Sequence, residues 1–181
     1  MKLHIGGKEK HPDWKILDIE PRPEVDIVAD ATNLSQFEDN SCEAIYASHV
    51  LEHFYHGING EVISVIKEWH RVLKPGGIIY LSVPDISKLC SLYVQSGMSF
   101  QEKMHIMCIL YGGQSNIYDV HKIGFDFDIL SYYLTMVGFI NIQKLERFNF
   151  FNDCSNYSIR GELISLNVVA YKKQAWWIEY V

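Results

Sequence analysis

Residues able to bind and activate a small molecule gather at a few places in the chain. They are Gly6-Gly7, Asp18 with Glu20, Asp30-Ala31, Ser48-His49, and the histidines His53 and His121. A carboxylate can accept two hydrogen bonds from a ribose diol, and a second acidic or amide group can accept from an adenine amino group. A histidine, whose pKa lies near working pH, suits a general base acting on a hydroxyl, and His49, His53 and His121 are the catalytic candidates. Each of the three could equally pack or hydrogen-bond locally, and Asp18 and Asp30 could simply form turns. His49-Val-Leu-Glu52-His53 also fits the His-x-x-Glu-His pattern of zinc peptidases, with His56 extending it by roughly one turn. That chemistry needs the motif inside a helix and a further ligand downstream. Here His49 directly follows a predicted strand, so no metal site is expected.

The elements that must position these residues read as a parallel α/β sheet. Strands are predicted at Leu3–Gly6, Lys15–Ile19, Val25–Ala29 and Ala44–Ala47, the second closed off by Pro21 and Pro23. From Gly60 to Lys74 apolar residues recur at 62, 65, 66, 69, 72 and 73, a helical spacing with one buried face. Pro75-Gly76-Gly77 stops that helix, and Ile78–Val83 is apolar enough for a strand covered on both sides. Such a helix between two strands makes them parallel neighbours through a right-handed crossover. Ser99–Tyr111 is predicted as a helix burying Phe100, Met104, Met107, Cys108 and Tyr111. Gly112–Phe127 reads as irregular, Asp128–Val137 as a helix capped by Gly138, and Phe139–Phe148 and Leu163–Tyr171 as closing strands. Parallel sheets bind ligands at the carboxyl ends of their strands, where the residues named above stand.

Size and composition narrow the function. The 181 residues suit one domain over 1–181, and a formal charge of −6 argues against non-specific nucleic-acid binding. No apolar stretch has signal-peptide character or reaches the ~20 residues that span a bilayer. Cys42, Cys90, Cys108 and Cys154 are scattered, as free thiols of a reducing cytoplasm would be. The aromatic residues Tyr111, Tyr118, Phe125 and Phe127 could line an acceptor pocket or pack under a long loop. The apolar tail Trp176-Trp177-Ile-Glu-Tyr-Val suits cover for a sheet edge or burial between copies in a homo-oligomer.

Two segments carry a family resemblance: Asp-Asn-Ser-Cys-Glu-Ala-Ile-Tyr-Ala-Ser-His-Val-Leu-Glu-His (39–53) and Arg-Val-Leu-Lys-Pro-Gly-Gly (71–77). With His121 in Val-His-Lys-Ile-Gly-Phe-Asp and Val137-Gly-Phe139, they resemble class I S-adenosylmethionine (SAM)-dependent methyltransferases. The likeness is to the small bacterial type associated with sugar and polysaccharide metabolism, over about Lys2 to Lys172. It implies a single Rossmann-like domain with a mostly parallel seven-stranded sheet, the last strand antiparallel. It also implies SAM as cofactor and a small-molecule acceptor, with neither nucleic acid nor membrane as partner. Asp18 would meet the ribose, Asp30 with Ala31 the adenine, and Gly6 the methionine end, with Gly7, Ser48 and His49 beside them. The sequence departs from the family at one place. About eight residues, Gly7 to Trp14, join the first two strands, too few for the usual Gly-x-Gly-x-Gly loop and helix, since a full crossover takes at least ~10–12 residues. A chain of this fold that no longer holds SAM and serves as a binding or assembly protein is the alternative.

Overall fold

The computed structural model describes residues 1–174. Strands β1 (Lys2–Ile5), β2 (Trp14–Asp18), β3 (Ile27–Val28), β4 (Cys42–Ser48), β5 (Leu73–Pro84), β6 (Phe139–Leu145) and β9 (Ser165–Lys172) form one sheet in the order β3-β2-β1-β4-β5-β9-β6. β1 to β5 pair in parallel, and β9 inserts antiparallel between β5 and β6. This is the seven-stranded arrangement with an antiparallel last strand that the resemblance implies. A two-stranded hairpin of β7 (Ser158–Ile159) and β8 (Glu162–Leu163) stands outside the sheet.

Helix α1 (Glu61–Val72) lies on one face of the sheet with α4 (Phe127–Val137). Val62, Val65, Ile66, Trp69 and Val72 of α1 and Leu130 and Leu134 of α4 bury against Leu3, Ile5, Ile45, Ala47, Ile79 and Leu81. The chain passes from α1 directly into β5. Pro75-Gly76-Gly77 therefore lies within the strand, and the helix stops three residues before it. Lys172 Nζ donates to the carbonyls of His70, Arg71 and Leu73, so a cation of β9 sits on the carbonyl end of α1.

The opposite face has a different cover. As expected from its length, the β1–β2 connection contains no helix. Trp14, Ala44 and Tyr46 on that face pack instead against Phe148 and Phe151, with Tyr80 alongside. The Phe151 ring stands 4.1 Å from that of His4 and 4.9 Å from that of Tyr46. Tyr46 Oη donates to Asp153 Oδ2 at 2.8 Å, and Asn152 N donates to Glu9 Oε2 at 3.0 Å in the short connection. A segment from the C-terminal part thus covers the sheet face that the short connection leaves open.

Two expectations need correction, and one helix had not been expected. A helix, α2 (Ile86–Tyr93), follows β5 directly, with the Asp85 side chain accepting from Lys88 N as its N-cap. Helix α3 (Phe100–Tyr111) exists with a Ser99–Glu102 capping box, but of its residues only Ile106 is buried, while Phe100 is 73% exposed and Met104, Cys108 and Tyr111 also face out. Its apolar residues circle the helix, so spacing alone could not choose the buried side. Phe125 is core and Tyr111 and Tyr118 are exposed, so the four aromatic residues do not line a pocket together, although Phe127 borders a cleft at the end of β5. The tail 176–181 lies outside the described residues.

Candidate functional site

The strand-end residues form two adjoining groups. The first surrounds the β1–β2 connection. Gly6 has φ +73° and its N–H donates to Leu17 O at 2.8 Å, and a Cβ there would stand 2.7 Å from Val50 Cγ2. A Cβ at Gly7 would stand 2.7 Å from the His4 ring. Both glycines are therefore required by packing within the protein.

Asp18 ends β2 and is 12% exposed, with Oδ1 accepting from Glu20 N and Oδ2 from Arg22 Nη2, each at 2.9 Å. The same Nη2 donates to Gly7 O at 2.8 Å, and Arg22 Nε donates to Glu24 Oε1 at 2.7 Å. Arg22 thus fastens the strand-end carboxylate to the connection, a role its place between two prolines did not advertise. The carboxylate still has lone pairs for two further donors, so its chemistry suits a ribose diol. Asp30 is exposed, and its Oδ1 accepts from Thr32 N at 2.8 Å in an Asx turn. The Ala31 carbonyl accepts from Trp69 Nε1, which anchors this turn to α1.

The second group surrounds Glu52. His49 adopts φ +55°, and its N–H donates to Ser82 O, turning the chain out of β4 into a 3-10 turn at Leu51–His53. The His-x-x-Glu-His residues therefore sit on a strand end and a short turn, unlike the peptidase motif. The irregular segment before α4 folds back onto this turn: Lys122 N donates to Glu52 O, and His53 Nδ1 lies 3.2 Å from Val120 O. This brings His121 in, its ring 4.7 Å from that of His53 and its Nδ1 2.8 Å from Ile109 O. All three catalytic candidates meet here. Ser48, just before them, has a buried Oγ with no hydrogen-bond partner among the described residues.

Glu52, named from sequence only within the peptidase-like pattern and not as a site residue, stands at the centre of this group. Its side chain is 1% exposed, and neither carboxylate oxygen has a hydrogen-bond partner among the described residues. Around it stand His49 Nδ1 at 3.4 Å and His121 Nε2 at 3.9 Å, both measured to Oε1. Burial pushes the Glu52 carboxyl up to about 8. Burial also pulls His49 down to about 3 and His121 to about 4, and it lowers His53. The histidines are thus neutral near pH 7, with a free lone pair each but weakened as bases by burial.

A cleft of about 420 Å³ opens nearby at the carboxyl end of β5, where Lys144 Nζ donates to the buried Asp85 carboxylate. Lys88, Asp126, Asp128 and Glu162 help to line it together with Phe127, one of the aromatic residues proposed from sequence for an acceptor pocket, whereas none of the strand-end candidates does.

Residues 9–81 match a family model described as a methyltransferase domain, a span that begins just after the glycine pair. No curated protein matches the sequence. Among solved structures, the chain is similar to a SAM-dependent methyltransferase from Archaeoglobus fulgidus, with 15% identity over 94% of this chain and 85% of that one and a TM-score of 0.60. It is similar also to the 1,6-didemethyltoxoflavin-N1-methyltransferase of Burkholderia thailandensis, with 14% identity over 96% of this chain and 71% of that one and a TM-score of 0.57. That structure contains S-adenosylhomocysteine. Against the CurJ carbon methyltransferase the identity is 14% and the TM-score 0.58, and this chain, 96% covered, spans 48% of the other's length.

Proposed function

We propose, for a chain that belongs with the class I SAM-dependent methyltransferases in fold and in its domain match, that it transfers a methyl group from SAM to a small-molecule acceptor such as a sugar or polysaccharide precursor. The observation that carries this reading is the convergence at the strand ends. A carboxylate with acceptor capacity, Asp18, stands on one side of β1, and neutral histidines stand at the end of β4 on the other. Gly6 abuts Val50, next to His49, so the two groups adjoin.

When bound, SAM supplies a methyl on a sulfonium: transfer breaks that carbon–sulfur bond, joins the carbon to an acceptor oxygen or nitrogen, and leaves S-adenosylhomocysteine. The chain's own residues bind and orient. Asp18 accepts from the ribose hydroxyls, held in place by Arg22 and Glu20 N. Asp30 and Ala31 would border the adenine, Gly6 and Gly7 the methionine end, and Ser48 and His49 the space between. His53 and His121 each direct Nδ1 at a backbone carbonyl, which leaves Nε2 unprotonated and able to accept a hydrogen bond that orients the acceptor. Alignment of acceptor and methyl supplies much of the acceleration. The net charge of −6 favours a small acceptor over nucleic acid.

One observation favours the rival reading of a non-enzymatic binding protein: Asp18 is already bonded to Arg22, and the glycines pack against Val50 and His4. Calorimetric titration with SAM and S-adenosylhomocysteine separates the two. The enzyme reading expects micromolar binding, weakened at least ~10-fold by Asp18→Ala, a loss of about 1.4 kcal/mol. Absence of heat and of thermal stabilisation at millimolar ligand would exclude it and leave the binding protein.

A further inference from the structure

We propose that Glu52, His53 and His121, with His49 beside them, bind one divalent transition-metal ion of the zinc class at the end of β4. A ligand-capable atom from each of the first three lies within 4.8 Å of the others. The closer approaches to Glu52 Oε1 are 3.4 Å from His49 Nδ1 and 3.9 Å from His121 Nε2. Nitrogen and oxygen ligands of one tetrahedral zinc, at 2.0–2.2 Å from the metal, stand roughly 3.4 Å from one another. Against that spacing the group is open by at most about 1.4 Å, a gap that an ion could close by drawing the side chains together.

The hydrogen bonds around the group matter more than the distances, because they turn the imidazole N–H donors away from it. His121 Nδ1–H donates to Ile109 O and His53 Nδ1–H to Val120 O, so the unprotonated nitrogen of each ring is Nε2. The Ser165 hydroxyl spends its one hydrogen on Cys154 O at 2.7 Å. It can only accept from His49 Nε2, 2.9 Å away, which leaves His49 Nδ1 unprotonated and directed at Glu52. Two histidines and a carboxylate thus share a small volume with a third imidazole lone pair directed at the carboxylate, and both carboxylate oxygens are buried without a side-chain partner. An ionised carboxylate in such a place is costly unless a cation or a proton compensates it. Backbone carbonyls that accept from the far nitrogen are the support that metal-ligating histidines ordinarily have, fixing both tautomer and ring direction. Imidazole with one carboxylate suits zinc and its neighbours in the first transition row better than magnesium or calcium. The histidines, unlike Glu52, are partly exposed. With the ion bound, the lone pairs assigned above to hydrogen-bond acceptance serve as ligands instead.

The test uses the full chain, stripped with EDTA and desalted, then titrated with Zn²⁺ by calorimetry and with Co²⁺ by visible absorption. The expected result is one equivalent bound, a raised thermal midpoint, and a Co²⁺ spectrum of low coordination number. Glu52→Gln keeps the side-chain shape without the charge, and its fold is checked by circular dichroism. It and His121→Ala should each weaken Zn²⁺ at least ~100-fold, since each removes a direct ligand and loss of even an outer-shell partner costs 10–100-fold. Equal Zn²⁺ affinity in wild type and Glu52→Gln, or no binding by folded wild type at millimolar Zn²⁺, would overturn the proposal and leave a proton alone on Glu52. Zn²⁺ binding abolished by Cys108→Ser or Cys154→Ser would overturn it too, by assigning the metal to exposed thiols. SAM titrations on the metal-free protein keep this outcome separate from the fate of the nucleoside site.

Discussion

Without metal, Glu52 should make the protein less stable as pH rises, and Glu52→Gln should abolish that loss. The carboxyl titrates at about 8 in the folded chain and near 4.5 when unfolded, because burial disfavours its charged form. A raised carboxyl pKa means that the folded state binds more protons than the unfolded one between these values, so stability falls as pH rises through the window. The slope for one group is about 1.4 kcal/mol per pH unit, which accumulates to about 3 kcal/mol by pH 7 and about 5 kcal/mol above pH 8. Below pH 4.5 both states carry the proton and the contribution is flat. Urea unfolding of the two proteins in EDTA at pH 5, 6, 7 and 8 reads this directly, since a domain of this size unfolds cooperatively and midpoint shifts convert to free energy. Titration of the surrounding histidines is common to both chains and leaves the difference to Glu52. The wild type should lose ground to Glu52→Gln steadily from pH 5 to 8. Parallel curves across that range would refute the argument, because they would mean that the carboxylate finds compensation in the protein itself.

The buried histidines act in the opposite sense. His4 and His121 are pulled down to about 4 and His49 to about 3, so the stability they contribute is complete above pH 6.5 and lost as pH falls below it; in the Glu52→Gln background, urea midpoints should fall steadily from pH 6.5 to 5. Phe151→Ala should destabilise by about 3–5 kcal/mol in equilibrium unfolding, since it empties the ring that touches His4, Tyr46 and Trp14; a loss below about 1 kcal/mol would show that the segment is no cover for the sheet. Gly6→Ala should cost about 1–3 kcal/mol by the same measurement, for the φ of +73° and the Val50 methyl 2.7 Å from the new carbon.

What the sequence disclosed follows from how local each signal is. β4, α1 and β5 were legible because the 3.6-residue period of Val62, Val65, Ile66, Trp69 and Val72 and the apolar run of β5 are fixed within a few residues. Helix α2 went unseen because eight residues seldom show a period, and its clearest sign, the Asp85 cap on Lys88 N, looks like a turn in sequence. The site was half legible. The spacing of His49, Glu52 and His53 stood out, yet that Glu52 would lie buried without a side-chain partner depends on Val120–Lys122 folding back from almost seventy residues away. Arg22 was invisible for a related reason: nothing local says that its guanidinium will reach both Asp18 and the Gly7 carbonyl.

The aromatic cover on the second sheet face has a consequence for synthesis of the chain. Tyr46 meets Asp153 across 107 residues and Glu9 meets Asn152 across 143, so the first strands leave the ribosome with one side bare. Strand β9, which joins β5 to β6, emerges later still. Contacts this distant impose their loop-closure cost before they reward it, and they slow folding accordingly. Until residues 146–172 are made, Trp14, Tyr46 and Tyr80 lack their native cover, and exposed apolar surface of this kind favours aggregation of partly folded chains.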